Sequence, residues 1–257
     1  MRATQSLRRL QAGQSTPGLL GLGLALAVGL VLAAGLVARS LERIKLAGDR
    51  ITVKGYAEEQ VVSDAGTWRG TVTARSGDLQ SGYRLLEADS TRVREMLEAV
   101  AGANARVDVA PVTTRPQYEI GPGGVQTGRV IGYELERNFE LSSNDVELIG
   151  RVASRASALI SDGVNINSWP PQYFYAGLND VKVRLIGAAT RDAQLRAEQF
   201  AAGSGVKVGP LRSASQGVFQ ITRPNSTDTA DYGSYDTSTV DKVVKAVVTV
   251  EYAVERS

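Results

Sequence analysis

Gly121-Pro-Gly-Gly-Val-Gln-Thr-Gly-Arg-Val-Ile-Gly-Tyr-Glu-Leu-Glu-Arg-Asn-Phe-Glu-Leu141 is the stretch from which the fold can be read. Gly121-Pro-Gly-Gly124 is a strong turn signal. Val125 to Leu141 follows as a long strand, with Val130, Tyr133, Leu135 and Phe139 among its residues. Val107 to Ile120, before the turn, is also extended, so the whole segment reads as a hairpin.

Toward the C-terminus, Ser142-Ser-Asn-Asp145 supplies a helix N-cap, and the helix Val146 to Ile160 closes at Asp162-Gly163. A strand from Val164 to Asn167 then meets Trp169-Pro-Pro-Gln-Tyr-Phe-Tyr175. Two prolines cannot sit in a central ladder, so this segment is an edge or a bend. A regular helix is predicted from about Leu178 to Ala202. Val181, Leu185, Ala189, Ala193, Ala197 and Ala201 fall on every fourth residue, and their small size lets the helix lie close on a sheet. Gly203 and Gly205 end it. Val208 to Ile221 is extended, residues 223–239 are polar and read as a long loop, and Lys242 to Val254 alternates strongly as a last strand.

Toward the N-terminus, Leu79, Tyr83, Leu86, Val93, Met96, Leu97 and Val100 mark one face of a helix from about Asp78 to Val100, ended by Gly102. Ile51 to Val62 and Thr67 to Ala74 read as two strands around the turn Ser63-Asp-Ala-Gly66, and are predicted to form a first hairpin. Paired strands with helices between them give an α+β class, with antiparallel strand pairs packed with three main helices, rather than a doubly wound sheet.

One N-terminal segment stands apart. Gly18 to Ala38 is a run of 21 residues without a charge. As a helix it would reach roughly 30 Å, the hydrocarbon thickness of a bilayer. It is predicted to be a transmembrane helix preceding the α+β domain. Arg8 and Arg9 before it would also suit a cleaved signal, but the run exceeds the usual length of a signal's apolar region, and Leu36-Val37-Ala38 is a weak cleavage site. Gly21, Ala25, Gly29 and Ala33 lie four apart on one face, a candidate surface for transmembrane packing. The expected organisation is a short basic tail (1–17), the anchor (18–38), a juxtamembrane linker (39–49) and an α+β domain (50–255). Arginines on both sides of the run are nearly balanced, so charge alone sets orientation weakly.

Charge excludes one class of partner. Residues 1–45 carry a net +5, which leaves 23 basic and 26 acidic residues in the remainder. A slightly acidic domain is a poor nucleic-acid binder, because phosphate affinity rests on Lys and Arg. There is no cysteine and no histidine. Thiolate or imidazole zinc sites, cysteine nucleophiles, Ser-His-Asp triads and disulfides are therefore excluded. No cofactor and no catalytic residue is assigned.

Several stretches, taken in order, resemble the SIMPL-domain family of bacterial envelope proteins. Ile51-Thr-Val-Lys-Gly55 is similar to the family's opening strand. Tyr118 with Gly132-Tyr133 resembles its Tyr and Gly-Tyr pair. Ala189-Thr-Arg-Asp-Ala-Gln-Leu-Arg-Ala-Glu-Gln-Phe-Ala201, followed by Gly205 and Gly209, resembles its Ala-rich helix. Gly217-Val-Phe-Gln-Ile-Thr222, Asp231-Tyr-Gly233 and Asp236-Thr-Ser238 are similar to the motif of one branch of that family. The resemblance implies an exported or membrane-anchored protein, with its soluble domain on the periplasmic side of the bacterial inner membrane. It further implies links to envelope stress and ring-like assembly, and it brings no active site.

The expected function is therefore non-enzymatic: a single-pass envelope protein that acts by self-assembly or by binding an envelope partner. The alternatives are a module for a small ligand or ion and, less favoured, a carboxylate-dependent enzyme. Trp169, Tyr173, Phe174 and Tyr175 are the candidate interface residues, because aromatic clusters favour interface cores. Filling the domain core is the competing role for them. Asp228, Asp231 and Asp236 offer oxygen ligands, but their spacing does not match a calcium loop.

Overall fold

The computed structural model describes residues 26–38, 49–102 and 105–256. Residues 26–38 form a helix (α1) whose apolar side chains, among them Leu30, Val31 and Leu36, are exposed. Among the described residues no helix is long and apolar enough to cross a membrane. The expected span, 18–38, lies only partly within them: Gly29 and Ala33 fall on α1, whereas Gly21 and Ala25 lie outside the described residues.

Eleven strands and three long helices make up the described remainder, and the class is α+β. One sheet has five strands: β1 (Arg50–Val62), β8 (Val206–Gln216), β9 (Gln220–Thr222), β10 (Ser234–Tyr235) and β11 (Asp241–Arg256). β11 is its axis and pairs with β1, β8 and β9. The other sheet has six: β2 (Ala65–Ser76), β3 (Ala105–Val109), β4 (Thr113–Ile120), β5 (Gln126–Ser143), β6 (Ile166–Ser168) and β7 (Gln172–Phe174). Here β5 pairs with β2, β3 and β4, and β2 holds β6 and β7 on its other side. The turn Gly121–Gly124 does join β4 to β5, with Gly123 and Gly124 both at positive φ.

The predicted first hairpin is corrected by this topology. β1 and β2 are consecutive but belong to different sheets. The two residues between them are held apart rather than folded back: the Ser63 amide donates to the Val240 carbonyl (2.9 Å), and the Asp64 amide to that of Phe174 (3.0 Å). Each strand instead finds a longer partner, β1 on β11 and β2 on β5. The loop expected at 223–239 also contains the short strand β10, parallel to β9.

The helices are α2 (Leu79–Ala101), α3 (Val146–Ala158) and α4 (Leu178–Ser204). Asp78 caps α2 by accepting from the Ser81 amide (2.8 Å), and Asp145 caps α3 by accepting from that of Leu148 (3.0 Å). α2 and α3 cover the inner face of the six-stranded sheet. Trp68, Val72, Leu86, Leu97, Phe139 and Ile149 are among the residues that fill that core. Arg137 also points inward from β5 and is met by Glu87 of α2 at 2.5 Å.

α4 packs differently. Its Val181, Leu185, Ala189 and Ala193 are buried, and Gly55 of β1 lies so close beneath it that a Cβ there would meet the Ala189 carbonyl oxygen. The stripe of small residues thus allows the close approach that its spacing implied. The chain divides into a larger unit, Val53–Arg196 with Ala214–Val250, and a smaller one that includes Ala197–Ser213 and Glu251–Arg256. In the smaller unit Ala197 and Ala201 are buried, and Arg50 pairs with Glu251 at 3.2 Å.

Candidate functional site

The aromatic segment 169–175 runs from the end of β6 through Pro170-Pro171 into β7 at the edge of the six-stranded sheet. Its four aromatics separate. Tyr173 is half-buried against the core beneath α3, and burial raises its phenol pKa. Tyr175 packs instead with Val61, Val181 and Leu185 under α4. Phe174 meets the Tyr235 ring edge to face, with centroids 6.2 Å apart. Trp169 alone is mostly open, at 52 % exposure.

The backbone of this segment is tied to the loop 236–240. The Tyr173 amide donates to the Thr237 carbonyl (2.8 Å), and the Tyr175 amide to the Tyr235 hydroxyl (3.2 Å). That loop is organised from below by Lys242, which is 1 % exposed. Its Nζ donates to the carbonyls of Asp236 and Thr239, both at 2.6 Å, and lies 5.9 Å from the Tyr235 ring centre. Burial pushes the Lys242 ammonium pKa down, and the nearby Asp236 carboxylate partly opposes this. Lys242 was not singled out in the sequence. The signal was available: it has the parity of Val244, Ala246 and Val248, so strand alternation points it inward.

Trp169 borders the outer face of the six-stranded sheet. Its backbone amide donates to the Arg69 carbonyl (2.9 Å), and its Nε1 reaches the Thr71 hydroxyl at 3.4 Å. A groove of about 510 Å³ lies beside it, walled by Arg69, Thr71, Asp108, Asn138 and Glu140. A second hollow of about 290 Å³, between Thr67, Pro170, Pro171, Thr237 and Ser238, shares Arg69 and Trp169 with the first. Charges on the groove wall are compensated: Arg69 pairs with Glu140 (2.9 Å) and Asp108 with Arg106 (2.8 Å). Thr71 donates to the Asn138 side-chain carbonyl at 2.8 Å.

The acidic residues of 223–239 serve the loop itself. Asp228 accepts from the Ser226 hydroxyl (2.8 Å), and Asp236 accepts from both the amide and the hydroxyl of Ser238. Among the described residues no group of three or more Asp or Glu side chains is placed to hold a metal ion.

A second exposed feature is the arm formed by β4 and the first half of β5. Almost every side chain of β4 is exposed, and so are Val125, Val130 and Ile131 on the returning strand. Ile120 and Val125, on either side of the turn, are each 69 % exposed. The register slips twice along the arm, near Tyr118, so the ribbon is irregular as well as open.

No curated protein sequence matches the chain at a significant level. Among solved structures, a de novo designed protein, Foldit4, aligns with 40 % of this chain and 93 % of its own at 17 % identity and a TM-score of 0.24. A hydantoinase/carbamoylase family amidase from Burkholderia ambifaria aligns at 15 % identity over 50 % of this chain and 34 % of its own, with a TM-score of 0.25. An uncharacterized conserved protein from Listeria innocua aligns at 11 % identity over 74 % and 91 %, with a TM-score of 0.21. Likenesses this distant carry no argument about fold or activity. A family model does match, over residues 51–252, under the description "Protein of unknown function (DUF541)". That match takes in all but the first residue of β1, every helix from α2 to α4 and most of β11, and the chain belongs to the SIMPL family.

Proposed function

We propose that this protein is a non-enzymatic envelope protein, anchored in the bacterial inner membrane by residues 18–38, whose periplasmic α+β domain acts by self-assembly or by binding an envelope partner. The observation that carries this reading is the β4–β5 arm. A two-stranded ribbon open on both faces is marginal in water by itself. Here it presents Ile120, Val125, Val130 and Ile131, all exposed among the described residues. Exposed aliphatic side chains concentrated on one projecting element mark an interaction surface. The apolar run and its flanking arginines support the anchor, and the envelope stress response is the process to which the family resemblance points.

The test is the assembly state of the full-length protein in detergent, measured by mass photometry after mild cross-linking. The wild type is expected as a species larger than the monomer, or cross-linked to an envelope protein. Ile120→Asp combined with Val125→Asp should return it to the monomer. A wild type found only as a monomer, with no envelope protein captured, would refute the proposal. The anchor is tested separately, by carbonate extraction of membranes and by protease accessibility in spheroplasts.

A further inference from the structure

We propose that the groove beside Trp169 on the outer face of the six-stranded sheet is a binding site for a neutral oligosaccharide. This goes beyond assembly through the arm and does not depend on it, since the groove and the arm share no residue.

The backbone that carries the Trp169 indole is fixed by its bond to Arg69 and by Pro170 and Pro171, and the ring itself is oriented by its Nε1, which reaches the Thr71 hydroxyl at 3.4 Å. More than half of it remains in solvent although it is the largest apolar side chain on that face. An exposed indole offers a flat apolar surface with one polar tip. The apolar C–H face of a pyranose ring fits such a surface.

The walls supply the complementary chemistry. Arg69, Asn138, Glu140 and Asp108 carry planar polar groups that project from neighbouring strands of one sheet. Together they offer forked donors and paired acceptors, the pattern that adjacent sugar hydroxyls can satisfy, since each hydroxyl both donates and accepts. The volume, about 510 Å³ with a further 290 Å³ beyond the indole, lies in the range of small-molecule sites.

Charge and shape then exclude competitors. Arg69 and Asp108 are each paired within the protein, so no unpaired cation on the wall waits for a phosphate or carboxylate. A polyproline peptide needs a groove lined by several exposed aromatics, and here Trp169 is exposed while Phe139 is buried. The Arg69–Glu140 bond uses Nε and one carboxylate oxygen (2.9 Å), so sugar hydroxyls can add to the neutralised pair without breaking it.

The test uses the full-length protein in a zwitterionic detergent, because a maltoside headgroup would itself compete. The probes are cellotriose and N,N′,N″-triacetylchitotriose. The chain has two tryptophans, and Trp68 is wholly buried, so acrylamide quenching reports Trp169. Saturable protection from acrylamide by at least one trisaccharide is expected. By calorimetry, Trp169→Ala should weaken that binding at least tenfold, as loss of a stacking aromatic anchor does. Asn138→Ala should weaken it several-fold, and neither variant should shift the thermal midpoint appreciably. Absence of saturable protection by both trisaccharides, unchanged affinity in Trp169→Ala, or protection by a decaproline peptide but by neither sugar would each overturn the proposal.

Discussion

The two helix–sheet layers are built on opposite solutions to the same problem, and a glycine marks each. Under α2 and α3 the sheet is filled by large side chains. Gly70 is there because the six-membered ring of Trp68 occupies the space of its missing Cβ, with ring carbons too near to where that atom would stand. Under α4 there is little side chain to fill, and Gly55 is there because the helix backbone itself comes down onto β1. One layer is held by volume, the other by proximity. The first should therefore fail when atoms are removed, and the second when atoms are added.

Removing the largest buried side chain should have the greatest effect. Trp68→Ala is expected to cost about 3–5 kcal/mol in denaturant unfolding, the range for a large aromatic deleted from a packed core. Gly55→Ala should cost about 3 kcal/mol, near the upper end for overpacking, because backbone cannot step aside as a side chain can. The two glycines are then separated by double-mutant cycles. Gly70→Ala should be partly rescued by Trp68→Phe, which takes away the atoms in conflict. Gly55→Ala should not be rescued by Ala193→Gly, since the Ala189 carbonyl remains. Rescue in both cycles, or in neither, would break the distinction.

A smaller effect concerns the charge that the volume-filled layer has taken in. Arg137 lies between Leu135 and Phe139 on the inner face of β5, and its side chain is 8 % exposed. Glu87→Ala should cost about 2 kcal/mol, less than the loss of a fully enclosed pair because Glu87 is itself partly open. Equal stability of Glu87→Ala and wild type would show that water reaches Arg137.

Acid should affect both layers. Asp78 and Asp145 accept backbone amides at the starts of α2 and α3, and Asp192 of α4 accepts the Tyr56 amide of β1 at 2.8 Å. These bonds hold all three carboxyls below their ordinary value of 3.8. Each folded value is thus lower than the unfolded one. Their stabilisation is complete above the unfolded value and is lost as pH falls through the folded values. Unfolding midpoints should drop below about pH 4, and Asp192→Asn should flatten that drop. Least of all should stability respond to the arm: Ile120→Asp is expected to stay within about 0.5 kcal/mol of wild type, whatever it does to assembly.

The same contrast explains which features were legible in the sequence. The alanine stripe of α4 states its closeness openly, since small residues at every fourth position have few other uses. The GPGG turn and the caps Asp78 and Asp145 are local chemistry and were readable as such. The false hairpin of β1 and β2 arose because a short turn between two strands says only that the chain changes direction. The choice of partners depended on β11 and β5, fifty or more residues away in sequence. Arg137 and Lys242 were hidden by their charge, although their parity in alternating strands was visible.

By itself, then, the sequence determined the elements, the α+β class and the absence of thiol and imidazole chemistry, because these follow from periodicity, composition and local caps and turns, and its motifs taken in order resembled the family. Tertiary structure alone decided that four adjacent aromatics would part, with Tyr173 and Tyr175 going to different cores and Trp169 to the surface. It also decided that Arg69, Asp108 and Asn138 would share one groove with that indole. Strand pairing sets such neighbourhoods, and pairing is fixed by the burial of whole faces rather than by any short stretch of chain.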